Sequence, residues 1–234
     1  MYKRVLLKVS GEQLAGKYDF GVDPELAAFL AEEVKKATAQ GCQIVMIVGG
    51  GNMVRGAEIA GHGIRRVTGD QMGMLSSLIN SMAITDIFEA HNLPTRCLSN
   101  IYAEQVAESY SYRLAEKHLQ ANRVVILAGG TGRAYVTHDT AAVMFGLELG
   151  CEVVLKATKF DGVYDKDPAH FPDAHKLEIM TFRQAVEDPA IKVMDKAALG
   201  LAMEHSLPLI VFDALGIQNI AKVVAGEAIG TKIA

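Results

Sequence analysis

The stretch RVVILAGGTGRAYVTHDTAA, Arg123 to Ala142, decides how the rest of the chain is read. Val124 to Ala128 is a short apolar run rich in β-branched residues and bounded by breakers, which predicts a strand covered on both faces. Gly129, Gly130 and Gly132 follow it. Lacking side chains, they reach positive φ and let backbone N–H groups approach an anion. Thr137, His138, Asp139 and Thr140 then place hydroxyls and a carboxylate where a helix should start, a position that favours capping residues and binds anions. Strand, glycine loop and helix start in this order read either as a phosphate site or as an ordinary strand-to-helix turn of small residues.

Working outward, the same grammar recurs. Arg4 to Val9 predicts a first strand that stops at Ser10-Gly11 and carries Lys8 near its carboxyl end. Gln43 to Val48 predicts a second that runs into Gly49-Gly50-Gly51-Asn52, with Arg55, able to fork onto a phosphate, a few residues on. Thr95 to Leu98, Glu152 to Ala157 with Lys156 near its end, and Leu209 to Phe212 complete the core strands. Helical text lies between them: from the Asp23-Pro24 start to Gln40, Arg65 to Glu89, Ala103 to Leu119, Asp139 to Leu149, Thr181 to Val186, Asp195 to His205 and Gln218 to Ala225. Strands alternating with helices predict an α/β fold, a three-layer αβα sandwich around a mainly parallel sheet. No Pro/Ser-rich linker, charge block or repeat divides the chain, so residues 1–234 are expected to form a single domain.

Composition narrows the function classes. At 234 residues, 50% hydrophobic and 21% charged, the chain can bury a large core. A formal net charge of −4 argues against a nucleic-acid surface, while leaving room for a local basic pocket that takes a small anion. Cys42, Cys97 and Cys151 are scattered without metal-ligand spacing and read as core thiols in a reducing compartment. The opening MYKRVLLKV has no apolar export region, and no run approaches about 18 apolar residues, so no membrane span is expected and a cytoplasmic location is. Gly11 to Tyr18, GEQLAGKY, nearly spells a Walker loop. Tyr18 stands where a small hydroxyl should hold Mg²⁺, however, and Asp19-Phe20-Gly21 follows instead of a helix.

Carboxyl ends of parallel strands point one way, so Lys8, Gly49 to Gly51, Gly129 to Asp139 and Lys156 should converge on one rim rich in N–H donors and ammonium groups. Phosphoryl transfer needs such a place, because its catalysis is mostly positioning and neutralisation of charged oxygens. The order of motifs then adds a resemblance. KVSGE at Lys8 to Glu12, GGGN followed by Arg55, GDQMGML at Gly69 to Leu75, GGTG through THDTAA at Gly129 to Ala142, and LKATKFDGVYDKDP at Leu155 to Pro168 resemble the amino-acid kinase superfamily and, within it, the bacterial UMP kinases. KVMD at Lys192 to Asp195 and EAIGT at Glu227 to Thr231 match less specifically. The resemblance covers essentially the whole chain.

It implies ATP-dependent phosphorylation of UMP to UDP. Lys8, Val9, Ser10, Gly11, Gly51, Arg55, Thr158, Tyr164 and Asp167 would hold ATP. Gly50, Asp70 and the run Thr131, Gly132, Arg133, Ala134, Tyr135, Val136, Thr137 and His138 would hold UMP, Asp70 on the ribose hydroxyls. Lys8 and Lys156 would neutralise the migrating phosphoryl and Asp139 would orient them. Mg²⁺ would arrive with ATP, on phosphates and water, with no dedicated protein metal site. Gly16, Lys17, Tyr18, Asp19, Phe20 and Gly21 fall at a loop that similar enzymes use for a GTP activator, although Lys17 also reads as a solvated charge on a turn. A UTP inhibitor and a homohexamer complete what the resemblance implies, the Met-rich helix from Arg65 being compatible with subunit packing.

One loop departs from the family pattern. Members usually read NPFFTTDTAA where this chain reads RAYVTHDTAA, Arg133 to Ala142, so Arg133-Ala134 replaces Asn-Pro and His138 replaces a threonine in the acceptor loop. His138 can still hydrogen-bond a uracil edge, but with a larger ring and a titratable charge. Two alternatives therefore stay open: the same fold acting on a carboxylate or carbamate acceptor, and a non-catalytic ATP- and oxyanion-binding store or sensor.

Overall fold

The computed structural model describes residues 1–60, 63–188, 191 and 193–234. Its strands, in chain order, are β1 (Arg4–Val9), β2 (Gln43–Val48), β3 (Thr95–Ser99), β4 (Glu108–Ser109), β5 (Val124–Ala128), β6 (Val153–Thr158), β7 (Val163–Tyr164), β8 (Lys176–Leu177), β9 (Ile179–Met180), β10 (Leu209–Asp213) and β11 (Thr231–Ile233). The helices are α1 (Gly11–Leu14), α2 (Pro24–Ala39), α3 (Gly56–Ile59), α4 (Arg66–Ala90), α5 (Tyr112–Gln120), α6 (His138–Glu148), α7 (Phe182–Glu187), α8 (Lys196–Glu204) and α9 (Asn219–Ala225). Among the described residues no helix is long and apolar enough to cross a membrane.

The main sheet runs β4-β3-β5-β2-β1-β6-β10-β11-β9, and every pair in it is parallel except β10 with β11. Side chains alternate across its faces. On β1, Val5, Leu7 and Val9 enter a core with Leu30 and Val34 of α2, Ile84 and Phe88 of α4 and Val223 of α9. Leu6 enters the opposite core with Leu119 of α5, Ala141 and Phe145 of α6 and Leu199 of α8. Helices thus cover both faces, which gives the expected three layers. By the same alternation Lys8 lies on the α6 face. β1 sits between β2 and β6, so the strand order reverses around it, and the crevice beyond the strand ends at such a point is where ligands bind in open α/β sheets.

One expectation needs correction, and several short elements come in addition to those expected. The helix from Ala103 to Leu119 is shorter: Ala103 to Ala107 forms a turn, Glu108–Ser109 pairs with β3, and Tyr110 N–H bonds Ser99 O before Ser111 caps α5. Strand pairing at the sheet edge satisfies these backbone groups and overrides helical periodicity. A one-turn helix, α1, follows β1 directly, closed by a capping box in which Ser10 and Gln13 exchange side-chain bonds. β4, β7, β8, β9 and β11 were not expected, because two or three residues carry too little alternation to read. Of KVMD, Lys192 lies outside the described residues.

The glycine loop after β2 is pressed onto α4. A Cβ on Gly50 would stand 2.4 Å from Gly73 O and 2.7 Å from Ser76 Cβ. Neither helix backbone nor buried serine can retreat, so Gly50→Ala should cost about 1–3 kcal/mol of stability or more by overpacking. A thermal melt of the purified variant checks this; an unchanged midpoint would mean that the loop is not held where described.

Candidate active site

Pairing register builds the centre of the site. Lys8 of β1 stands directly opposite Lys156 of β6, both near the carboxyl ends of adjacent parallel strands. Such neighbours are about 4.8 Å apart. The two ammonium groups therefore reach the same space, above the α6 face, and meet the start of α6. There Thr137 caps the helix by accepting from Asp139 N at 3.1 Å and Thr140 N at 3.2 Å, which leaves the Asp139 carboxylate free to turn inward. Lys8 Nζ lies 2.9 Å from Asp139 Oδ1 and Lys156 Nζ 2.7 Å from Oδ2. The Lys8 contact is an ion pair without good hydrogen-bond alignment, while Lys156 donates properly and also donates to Val193 O.

Burial raises the Asp139 pKa, but the charges of Lys8 and Lys156 more than offset it and leave the carboxyl below its ordinary value. Burial also lowers the Lys156 pKa, against the pull of Asp139. The centre thus carries two cations on one anion, a net positive focus with little water around it. It attracts a further anion.

Two glycine loops flank this centre. Gly11 after β1 packs so tightly on the loop after β2 that a Cβ would come within 2.5 Å of Asn52 Oδ1 and 2.7 Å of Gly51 N. Asn52 and Asn80 exchange side-chain bonds of 3.0 and 2.7 Å, and Asn80 also donates to Gly49 O at 2.7 Å, so α4 holds this loop in shape. Arg55 lies at its mouth, half-exposed, paired with Glu12 at 2.6 Å and Glu58 at 3.1 Å. The loop after β5 turns through positive φ at Gly129, Gly130 and Gly132, and Ser77 Oγ ties Gly129 N–H to Val48 O across the strand ends.

On the β6 side, Lys156, Thr158, Tyr164 and Asp167 line one cavity of about 330 Å³ with Phe160 and Val211. The expected ATP residues therefore form two groups, one on the β1 and β2 loops and one along β6 and β7, joined by the Lys8–Lys156 pairing. The expected acceptor residues also converge. Asp70 of α4 accepts from Tyr135 N at 2.8 Å and from Arg66 Nε at 2.7 Å, so the loop from Thr131 to Thr137 is fastened to α4. Both Asp70 oxygens are thereby engaged by protein. Tyr135 adopts φ 65° and its exposed ring stacks beside the Arg66 guanidinium at 5.5 Å. Arg133 and Tyr135 face outward, whereas His138 turns its ring toward Gly130.

Gly16 to Gly21 forms turns beside this machinery. Lys17 pairs with Glu25 at 2.8 Å, and Gly21 O accepts from Asn52 at 2.5 Å, which links this loop to the glycine loop after β2. Asp195 was overlooked by sequence reasoning. It caps α8 through Ala198 N at 3.0 Å and accepts from the hydroxyls of Thr137 and Thr140, so it locks the start of α6 beneath Asp139. Its signals in the sequence are its place at the end of KVMD and before a short helix.

A family model described as the amino acid kinase family matches residues 3–213. The chain belongs to the amino acid kinase family. Solved structures of similar sequence place it further within that family. It is similar to a UMP kinase from Bacillus anthracis at 33% identity and TM-score 0.94, over 99% of this chain and 96% of that one. A UMP kinase from Ureaplasma parvum matches at 29% identity and TM-score 0.91, over 100% and 99%. A uridylate kinase from Archaeoglobus fulgidus matches at 26% identity and TM-score 0.75, over 98% and 99%.

Proposed function

We propose that this chain is an ATP-dependent UMP kinase, transferring the γ-phosphoryl of ATP in line to UMP and releasing UDP and ADP, with residues 1–234 working as one domain. The observation that carries this reading is the pair of register-matched lysines closed on Asp139 at the strand ends, between a glycine loop on either side. Similarity to the UMP kinases over nearly the full chain supports UMP as the acceptor.

In this mechanism Lys8, Val9, Ser10, Gly11, Gly51 and Arg55 cradle the ATP phosphates, while Thr158, Tyr164 and Asp167 line the space for the rest of the nucleotide. Arg55 exchanges its carboxylate partners for phosphate as ATP enters. Gly50, Asp70 and the run from Thr131 to His138 hold UMP, and Asp70 gives up a protein donor to reach the ribose. Lys8 and Lys156 neutralise oxygens of the migrating group, and Asp139 keeps both in place. No strong base is required, since a phosphate monoester loses its second proton near pH 6, about the value for phosphorylated side chains. Mg²⁺ fits as a passenger on ATP, because both Asp139 oxygens already face ammonium groups. Its contribution when bound is to neutralise phosphate oxygens.

Assembly and regulation belong to the same proposal. Leu75, Ile79 and Met82 lie exposed on α4, which supports subunit packing in a homohexamer. The Gly21–Asn52 bond supports Gly16 to Gly21 as the loop through which GTP would act, with UTP as the opposing effector and the cytoplasm as the location. Incubating the purified protein with labelled ATP and, separately, UMP, CMP, AMP, acetylglutamate and carbamate tests the reading. Label should appear in UDP. Transfer to another acceptor alone reassigns the substrate, and transfer to none reduces the site to a binding role.

A further inference from the structure

His138 is the first residue of α6, and the side chain that departs from the family pattern. Although the residue as a whole is partly exposed, its Nε2 is enclosed and pairs with no hydrogen-bonding group among the described residues. The far edge of its ring lies against the glycine loop: a Cβ on Gly130 would meet Nε2 at 3.4 Å and Cδ2 at 3.5 Å. An enclosed polar nitrogen without a partner is costly, so such groups usually await a ligand or a proton partner. Charged neighbours are Lys8 from β1 and Asp139 from α6 itself, with Lys156 of β6 and Asp195 of α8 behind Asp139.

We propose that His138 donates a hydrogen bond from Nε2–H to the phosphate of the acceptor nucleotide, and so helps to hold that phosphate against the lysine pair. This rests on the reading of the site as one that takes a nucleoside monophosphate. The placement favours phosphate over base, because the ring lies against the glycine loop and within the field of Lys8. The outward-facing Arg133 and Tyr135 are left to meet the base. Burial, and then Lys8, push the imidazole pKa down to about 4 against the opposing effect of Asp139, so the ring is neutral at working pH. A neutral imidazole carries one N–H and one bare nitrogen, and an anionic ligand selects the tautomer with the hydrogen on Nε2. No proton is transferred; His138 orients the acceptor.

The test compares wild-type protein with His138→Leu, which fills similar space without a donor, and His138→Gln, whose amide reaches the Nε2 position. Removing a hydrogen bond to a charged group should lower kcat/KM for UMP about ten- to a hundredfold in the Leu variant, with KM for ATP unchanged. The Gln variant should recover most of it. Leu and wild-type activities that agree, or a Gln variant as impaired as Leu, overturns the proposal. A second arm needs no variant to be active: long-range ¹H–¹⁵N spectra of histidine-labelled wild-type protein, the His138 signal assigned by its loss in the Gln variant. That signal should not titrate between pH 5.5 and 8, and should shift on adding UMP but not uridine; titration near 6.5, or equal response to both ligands, also overturns it. Wild-type protein that transfers no phosphoryl group to UMP removes the functional reading itself, an outcome read before any variant is compared.

Discussion

Lys156→Ala lowers the turnover of ATP and UMP by about a hundred- to a thousandfold, the loss expected when one preorganised donor to transition-state charge is removed. Its affinity for ATP should change little, because the charge Lys156 meets develops chiefly as the phosphoryl group leaves. The structure explains why no neighbour takes over. Lys156 is anchored by two acceptors, Asp139 and Val193 O, so its ammonium is aimed, and Lys8 is already spent on the other carboxylate oxygen. Steady-state kinetics with a coupled ADP assay, beside calorimetric titration with ATP, separates the two effects. An unchanged kcat would take Lys156 out of the mechanism, and a parallel collapse of ATP affinity would make it a binding residue only.

Asp139→Asn strikes the same centre from the other side. Asp139 and both lysines keep side-chain exposures of only 10–15%, so the variant leaves two mostly buried ammonium groups facing each other with no counter-charge. Removing one partner of a buried ionic cluster costs about 3–5 kcal/mol. Chemical denaturation should show that loss at pH 7, and kcat should fall with it because the lysines are no longer held together. The pH dependence has a definite sign. The folded-state pKa of Asp139 lies below its unfolded value, so its stabilisation is full above the unfolded pKa, about 3.9, and is lost as pH falls through the lower folded value. Wild-type and Asn curves of stability against pH should therefore run a constant distance apart above about pH 4 and converge as pH falls below it. Curves that stay parallel down to acid pH would show that the carboxylate is not charged against the lysines.

Much of this arrangement was legible in the chain because its signals are local. The strand at Val124 to Ala128 stands where the sequence predicts it, and the helix start falls within the predicted Thr137 to Thr140 turn, one residue before Asp139, since an apolar run, glycines and hydroxyls before a helix are consecutive residues obeying local rules. Asp23 likewise caps α2, accepting from Glu25 N at 3.0 Å, with Pro24 in the first turn. What failed was whatever depends on a distant partner. The stretch from Ala103 to Ala107 has helical spacing, yet Glu108 and Ser109 immediately after it join the sheet edge beside β3, and nothing local announces that edge. In the sequence Asp195 is the start of a short helix and the end of KVMD; its bonds to Thr137 and Thr140 come from residues more than fifty positions away. His138 could be marked as a departure, but the direction of its ring could not.

From the sequence alone came the alternation of strands and helices, the glycines at strand ends, the two lysines near them and the capping residues of α6, because each is set by the conformational preferences and periodicity of neighbouring residues. Only the tertiary structure decided that Lys8 and Lys156 stand in register, that Asp139 lies between them, and that the His138 ring lies against the Gly130 loop. Those facts depend on which strands pair and how they are aligned, a choice made by burial of both sheet faces over the whole chain and carried by no single segment.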